Sequence, residues 1–198
     1  MDPAEARARM VERQLRRRGI HDERVLAAMG EVPREAFVPE RVRRSAYDDS
    51  ALPIGSEQTI SQPWVVAAIC QALALDGDET VLEIGTGSGY SAAVLARLAR
   101  RVISLERVPE LVESARRALA EVGVPNVEVI EADGSRGYPQ EAPYEAAYKA
   151  VDDHLIILHL DGPVAVDRAL GREAAQRVIP PGGMFMMPGG MDFGVRLG

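Results

Sequence analysis

Apolar and polar positions change rhythm twice along the chain. From Pro3 to Arg18 the residues are strong helix formers, Met10, Val11 and Leu15 can share one face, and Gly19 stands where a helix would close. The run Arg16-Arg17-Arg18 then sits at the helix C-terminus, where cations offset the helix dipole. A second, short helix is expected after Asp22 as N-cap, carrying Val25, Leu26 and Met29 and ending before Pro33. Pro39 and Pro53 punctuate an irregular connection, and Gln58-Thr59-Ile60-Ser61-Gln62-Pro63 leads into a helix with Pro63 in its first turn and Val65, Ile69 and Leu73 along it.

From Thr80 onward the pattern is one of alternating strands and helices. Val81-Leu82-Glu83-Ile84 reads as a buried strand, residues 91–99 as a helix, Val102-Ile103-Ser104-Leu105-Glu106 as a strand, residues 109–122 as a helix and Val127-Glu128-Val129-Ile130 as a third strand. A fourth strand is expected over residues 154–160, with no element assigned to 148–153. A helix follows over 165–178, with Pro180-Pro181-Gly182-Gly183 as its exit, then a fifth strand over 184–187 and a turn at Gly189-Gly190. This alternation predicts an α/β fold: a Rossmann-like, doubly wound, mostly parallel sheet with extra N-terminal helices. With 198 residues the chain suits one domain, residues 1–198. Residues 1–75 form its N-terminal helical part and 76–198 its Rossmann-like core.

Composition narrows the partners. A formal charge of −7 argues against capture of nucleic acid, which normally needs a basic surface. The single cysteine, Cys70, cannot close an internal disulfide, fits a reducing compartment, and sits among apolar residues as a buried filler. The Arg-rich start carries Glu5 and Glu12 and has no apolar core of a secretory signal. No run approaches the roughly 20 residues that span a bilayer, so a cytoplasmic location without membrane contact is expected. His21, His154 and His159 lack metal-ligand spacing, and no metal site is expected.

Candidate chemistry concentrates between the first strand and its helix. Gly85, Gly87 and Gly89, with Thr86 and Ser88 between them, form a turn where a side chain would obstruct a ligand approaching the backbone. The spacing is G-x-G-x-G rather than the G-x-G-x-x-G of dinucleotide sites, and Glu83 stands two residues before it. Both features favour S-adenosylmethionine over a nicotinamide cofactor. A glutamate inside an apolar strand also needs a cationic amine or hydrogen-bond donors nearby. Glu106 ends the second strand at the interval where an acid accepts from ribose hydroxyls, and Asp133, before Gly134, either accepts from the adenine amino group or serves a plain turn.

Four stretches together resemble protein-L-isoaspartate O-methyltransferases: MVERQLRRRG from Met10, EVPREAFVP from Glu31, QTISQP from Gln58 and VLEIGTGSGY from Val81. The glycine motif is common to many methyltransferases, whereas QTISQP joined to the N-terminal stretches is more specific to this family, and the resemblance covers residues 7–144. It implies transfer of the S-adenosylmethionine methyl group to the α-carboxylate of an L-isoaspartyl residue. The resulting ester closes to a succinimide, and the partners are isoaspartyl-containing proteins and peptides. It implies Ser61 as the active-site residue and Thr59, Ile60 and Ser61 as the substrate wall. The cofactor would be held by Glu83, Gly85, Thr86, Gly87, Ser88, Gly89, Glu106, Asp133 and Gly134. From the residues alone, Thr59 and Ser61 can equally be N-caps of the helix after Pro63, and Trp64 either walls a peptide pocket or anchors the core.

The chain departs from that family after Tyr144. It reads AAYKAVDDHLIILHLDGP, the stretch before Pro181-Gly182-Gly183 is longer than the family pattern, and the chain stops at Gly198 where the family continues into antiparallel strands. Truncated C-terminal strands would leave a sheet edge open, so a dimer stands beside the monomer as an expectation. Asp161 either replaces a polar contact or caps a turn before Gly162. Two alternatives remain beside isoaspartyl methylation: a related methyltransferase acting on another carboxylate or small molecule, and a catalytically inactive S-adenosylmethionine-binding interaction module.

Overall fold

A computed structural model describes residues 2–134, 138–141 and 144. Beyond these it describes the backbone of six strands between residues 146 and 197. Helix α1, Pro3–Met10, starts at Asp2, whose carboxylate accepts from Ala4 N, and continues through a π turn at Val11–Leu15 and a 3-10 turn at Arg16–Arg18. Gly19 ends the run at φ 93°, a left-handed conformation that a side chain would strain. The single expected helix is therefore three segments whose winding changes at Met10 and Leu15. The guanidinium of Arg16 faces Glu12 and Glu23 rather than lying free. Helix α2, Glu23–Glu31, is capped by Asp22, which accepts from Arg24 N (2.8 Å) and Val25 N (3.3 Å). Its Val25, Leu26, Ala28 and Met29 are buried.

The connection expected to be irregular contains a hairpin. β1, Leu52–Gly55, pairs antiparallel with β2, Gln58–Ile60, through a two-residue turn at Ser56 (φ 49°) and Glu57 (φ 58°). Positive φ at both central residues is the turn that follows the natural twist of two strands. Helix α3, Pro63–Leu73, follows with Pro63 in its first turn, and its N-cap is Gln62, which makes no side-chain capping bond. Thr59 and Ser61 are thus not helix caps; Thr59 belongs to β2 and Ser61 follows it.

With β7 at His154–His159 and β10 at Met184–Pro188, the main sheet has six strands in the order β10-β7-β6-β3-β4-β5. β3 (Thr80–Ile84), β4 (Arg101–Glu106), β5 (Val127–Glu131) and β6 (Ala146–Val151) run parallel. Helices α4, Tyr90–Leu95, and α5, Pro109–Glu121, make the first two crossovers. The winding proceeds from β3 through β4 to β5 and then returns to the other side of β3, which places a topological switch point at the C-terminal end of β3. Val81, Val102, Ile103 and Leu105 are buried from both faces. Cys70 is buried as well, and burial foremost pushes its thiol pKa up.

Three expectations for the C-terminal third are corrected. The parallel fourth strand is β6, over residues expected to hold no element. The stretch expected to supply that strand is β7, His154–His159, antiparallel to β6, because residues 152–153 are far too short for a parallel crossover of a dozen or more residues. The helix expected over 165–178 is instead β8, Val164–Leu170, paired with β9, Glu173–Ile179. Helix propensities differ by only about 0.7 kcal/mol per residue among ordinary side chains, a bias that strand pairing can override. β10, Met184–Pro188, pairs antiparallel with β7, and β11, Phe193–Leu197, pairs with β8. Asp161, Pro180 through Gly183 and Gly189-Gly190 lie outside the described residues.

Asp22→Ala removes the acceptor of two N-terminal amides of α2 and should lower stability by about 1 kcal/mol. Urea unfolding measures this, and Asp22→Asn should retain most of the difference.

Candidate active site

The site is built from the polar contents of two adjacent parallel strands. Glu83 on β3 lies in register with Ser104 on β4 and is 0% exposed. A carboxylate so placed needs donors, and Ser104 Oγ donates to its Oε2. With its proton committed there, Ser104 Oγ accepts from Thr86 Oγ1 at 2.6 Å. This buried chain fixes the residue that starts the glycine turn. The same turn is pinned across the sheet, since Gly85 N (2.8 Å) and Thr86 N (3.1 Å) both donate to the carbonyl of Leu105.

Glu106 closes the turn from the other side. Its Oε2 accepts from Gly87 N at 2.9 Å, and its Oε1 accepts from Arg107 N at 2.9 Å and Val108 N at 3.0 Å. Gly87, Gly89 and Gly134 each admit a close approach to a different neighbour. Gly87, at φ 54°, faces the hairpin, and a Cβ there would meet Ile54 Cδ1 at 3.6 Å. Gly89 faces α5 instead, where a Cβ would lie 3.2 Å from the Cβ of Ala115. Gly134 packs against β3, and a Cβ there would overlap Ile84 Cγ2 at 2.5 Å.

These elements enclose a cleft of about 740 Å³, within the usual size of small-molecule sites. Gly85, Thr86, Gly87, Ser88, Glu106, Asp133 and Gly134 line it from the sheet, and Thr59, Ile60 and Ser61 line it from β2 and the residue after it. Ten of the sequence-derived site residues are thereby brought together. Glu83 and Gly89 are not on the wall: Glu83 is buried behind the turn on Ser104, and Gly89 serves the packing of α5. Trp64 is also off the wall, donating from Nε1 to the Arg18 carbonyl at 3.2 Å with the Arg18 guanidinium 5.1 Å from its ring centroid.

The sequence did not single out Ser104, Arg34 or Tyr90. Tyr90 lines the cleft, is buried, and has its phenol pKa pushed up to about 12, first by burial. Ser104 carried a signal, a lone hydroxyl in an apolar strand one strand away from a lone glutamate. Among the described residues no group of three or more His, Cys, Asp or Glu side chains could hold a metal ion, and no helix is long and apolar enough to cross a membrane.

Ser104→Ala removes the donor to Glu83 and the acceptor of Thr86 together, and should cost about 1–3 kcal/mol of stability by urea unfolding. A loss within error of zero would mean that neither bond anchors the turn.

Comparison with known proteins shows the family of the chain. The family-wide sequence profile of "Protein-L-isoaspartate(D-aspartate) O-methyltransferase (PCMT)" matches residues 5–156. Protein-L-isoaspartate O-methyltransferase 1 of Rhodopseudomonas palustris (strain HaA2) is 50% identical over 96% of this chain and 71% of its own length. The protein-L-isoaspartate O-methyltransferase of Methanoculleus marisnigri is 56% identical over 71% of this chain and 64% of its own length. The chain therefore spans about two thirds of the length of these relatives. A Plasmodium falciparum beta-aspartate methyltransferase (PCMT), solved in complex with S-adenosyl-L-homocysteine, shares the fold at a TM-score of 0.60 and 18% identity, covering 88% of this chain and 94% of that one. With its family profile matched from the first helix into β7 and relatives at half identity along nearly its whole length, the chain belongs to the protein-L-isoaspartate(D-aspartate) O-methyltransferase family.

Proposed function

We propose that this chain carries out its family's reaction, methyl transfer from S-adenosylmethionine to the α-carboxylate of L-isoaspartyl residues in damaged proteins and peptides, in the cleft between the glycine turn and the β1-β2 hairpin. The observation that carries this reading is the meeting of two separately encoded walls, Gly85 through Ser88 and Thr59 through Ser61, across one cleft at the switch point of the sheet.

The cofactor wall fits such a group. Gly85 and Gly87, both at positive φ, leave the backbone open to a ligand. Glu106 is held rigid by three amides at the end of β4 and accepts from ribose hydroxyls, and Asp133 on the same wall accepts from the adenine amino group. Glu83 acts indirectly, holding Thr86 in place through Ser104. S-adenosylmethionine, when bound, supplies an electrophilic methyl group.

On the opposite wall little acid–base chemistry is needed. A carboxylate that ordinarily titrates near pH 3.9 or so, roughly three units below neutrality, is already the nucleophile at neutral pH. The protein's task is to hold one carboxylate oxygen in line with the methyl group and to keep water out. Ser61 orients that carboxylate, with Thr59 and Ile60 beside it. The net charge of −7 and the single buried thiol support a cytoplasmic protein, monomeric in this reading, that binds neither nucleic acid nor membrane.

Transfer of labelled methyl to an L-isoaspartyl peptide, with the aspartyl peptide as control, tests the reading. Selective labelling is expected, and Ser61→Ala should reduce kcat/KM roughly tenfold to a hundredfold through misplacement of the carboxylate. Equal labelling of both peptides, or none despite binding of S-adenosylhomocysteine, would replace it with another methyl acceptor or an inactive binding module.

A further inference from the structure

Arg34 sits in a 3-10 turn, Arg34–Phe37, and is 0% exposed. A guanidinium withdrawn from water needs its charge and donors answered by the protein. No carboxylate among the described residues pairs with it. Its Nε donates to the carbonyl of Ala46 at 2.7 Å and its Nη2 to the carbonyl of Ser61 at 2.7 Å, while Nη1 is buried without a hydrogen-bond partner among the described residues. The charge rests on the ring of Tyr90, 4.8 Å from its centroid. Burial foremost pulls the guanidinium pKa down, and the Tyr90 and Tyr47 phenols oppose it.

The two carbonyls bracket the segment that carries the β1-β2 hairpin. At its first end other contacts help, since Gln14 Nε2 donates to the Tyr47 carbonyl at 2.8 Å and the Tyr47 hydroxyl donates to Glu35. Among the described residues Ser61 has no comparable hold beyond Arg34, with α3 beginning two residues later. One planar fork thus joins both ends of the strap whose Thr59, Ile60 and Ser61 face the cleft. The cofactor wall is fixed separately by Ser104, Leu105 and Glu106.

We propose that Arg34 is the positioning residue of the substrate wall: by clamping the carbonyls of Ala46 and Ser61 with one guanidinium, it sets Ser61 over the cleft without taking part in holding the cofactor. The inference rests on the proposed function for what the Ser61 wall binds, but not for the clamp itself. Lysine keeps the charge but offers a compact ammonium that cannot reproduce a planar fork to two carbonyls, and methionine keeps most of the volume with no donor.

The test uses the whole 198-residue chain, comparing wild type with Arg34→Lys and Arg34→Met. In Arg34→Lys, amide hydrogen exchange over residues 58–62 should accelerate by about tenfold or more while the β3 and β4 amides keep their protection. The KM for an L-isoaspartyl peptide should rise about tenfold, with affinity for S-adenosylhomocysteine unchanged within about twofold. Unchanged exchange over 58–62 would overturn the proposal. So would equal acceleration in β3 and β4, or equal weakening of peptide and S-adenosylhomocysteine, either of which makes Arg34 a general core residue. Arg34→Met should reproduce the loss; if it does not fold, Arg34→Lys decides alone. Should the wild-type chain label no isoaspartyl peptide, the functional reading fails while the exchange comparison still decides the clamp.

Discussion

A buried carboxylate on one strand facing a serine hydroxyl on the next is the constraint from which the site follows. Glu83 and Ser104 meet only if β3 and β4 pair in the observed parallel register. A slip of one residue would turn each side chain to the opposite face of the sheet and leave a charge buried away from its donor. The same register brings the Leu105 carbonyl under the amides of Gly85 and Thr86, and Glu106 beside Gly87. The polar pair therefore specifies the strand alignment that apolar residues alone would fix less sharply, and the alignment shapes the turn.

Much of this was legible in the chain itself. Asp22 as cap, Pro63 in a first helical turn, the three leading parallel strands and the glycine turn all follow from local chemistry, because each signal lies within a few residues of its consequence. The β1-β2 hairpin was not legible. Its strands are short and its turn uses Ser56 and Glu57 where Asn and Gly would have announced it. Residues 164–170 and 173–179 carry helix formers but pair as strands with each other, and the first also with β11, so strand pairing decided what helix preference did not. Arg34 was hidden for a similar reason: an arginine reads as surface until the carbonyls of Ala46 and Ser61 are seen to converge on it.

The two walls of the cleft differ in how they are supported. The glycine-turn side is anchored in the ladder of a buried parallel sheet, where the amides of Gly85, Thr86 and Gly87 are answered by a strand carbonyl or a carboxylate. The hairpin side rests on two short strands and on tethers from Gln14 and Arg34 in the N-terminal segments. With this lighter support, local opening can occur on the hairpin side without disturbing the sheet.

Tyr90 gives the architecture a direction in time. It forms the floor beneath Arg34, yet it follows both Arg34 and Ser61 in the sequence. A nascent chain emerging N-terminus first would expose the arginine and the hairpin before the aromatic ring and the strands around it exist. Until then the guanidinium stays hydrated and the strap stays open. The order in which the chain leaves the ribosome thus runs against the order in which it can be packed, and the hairpin wall must wait for a ring encoded after it.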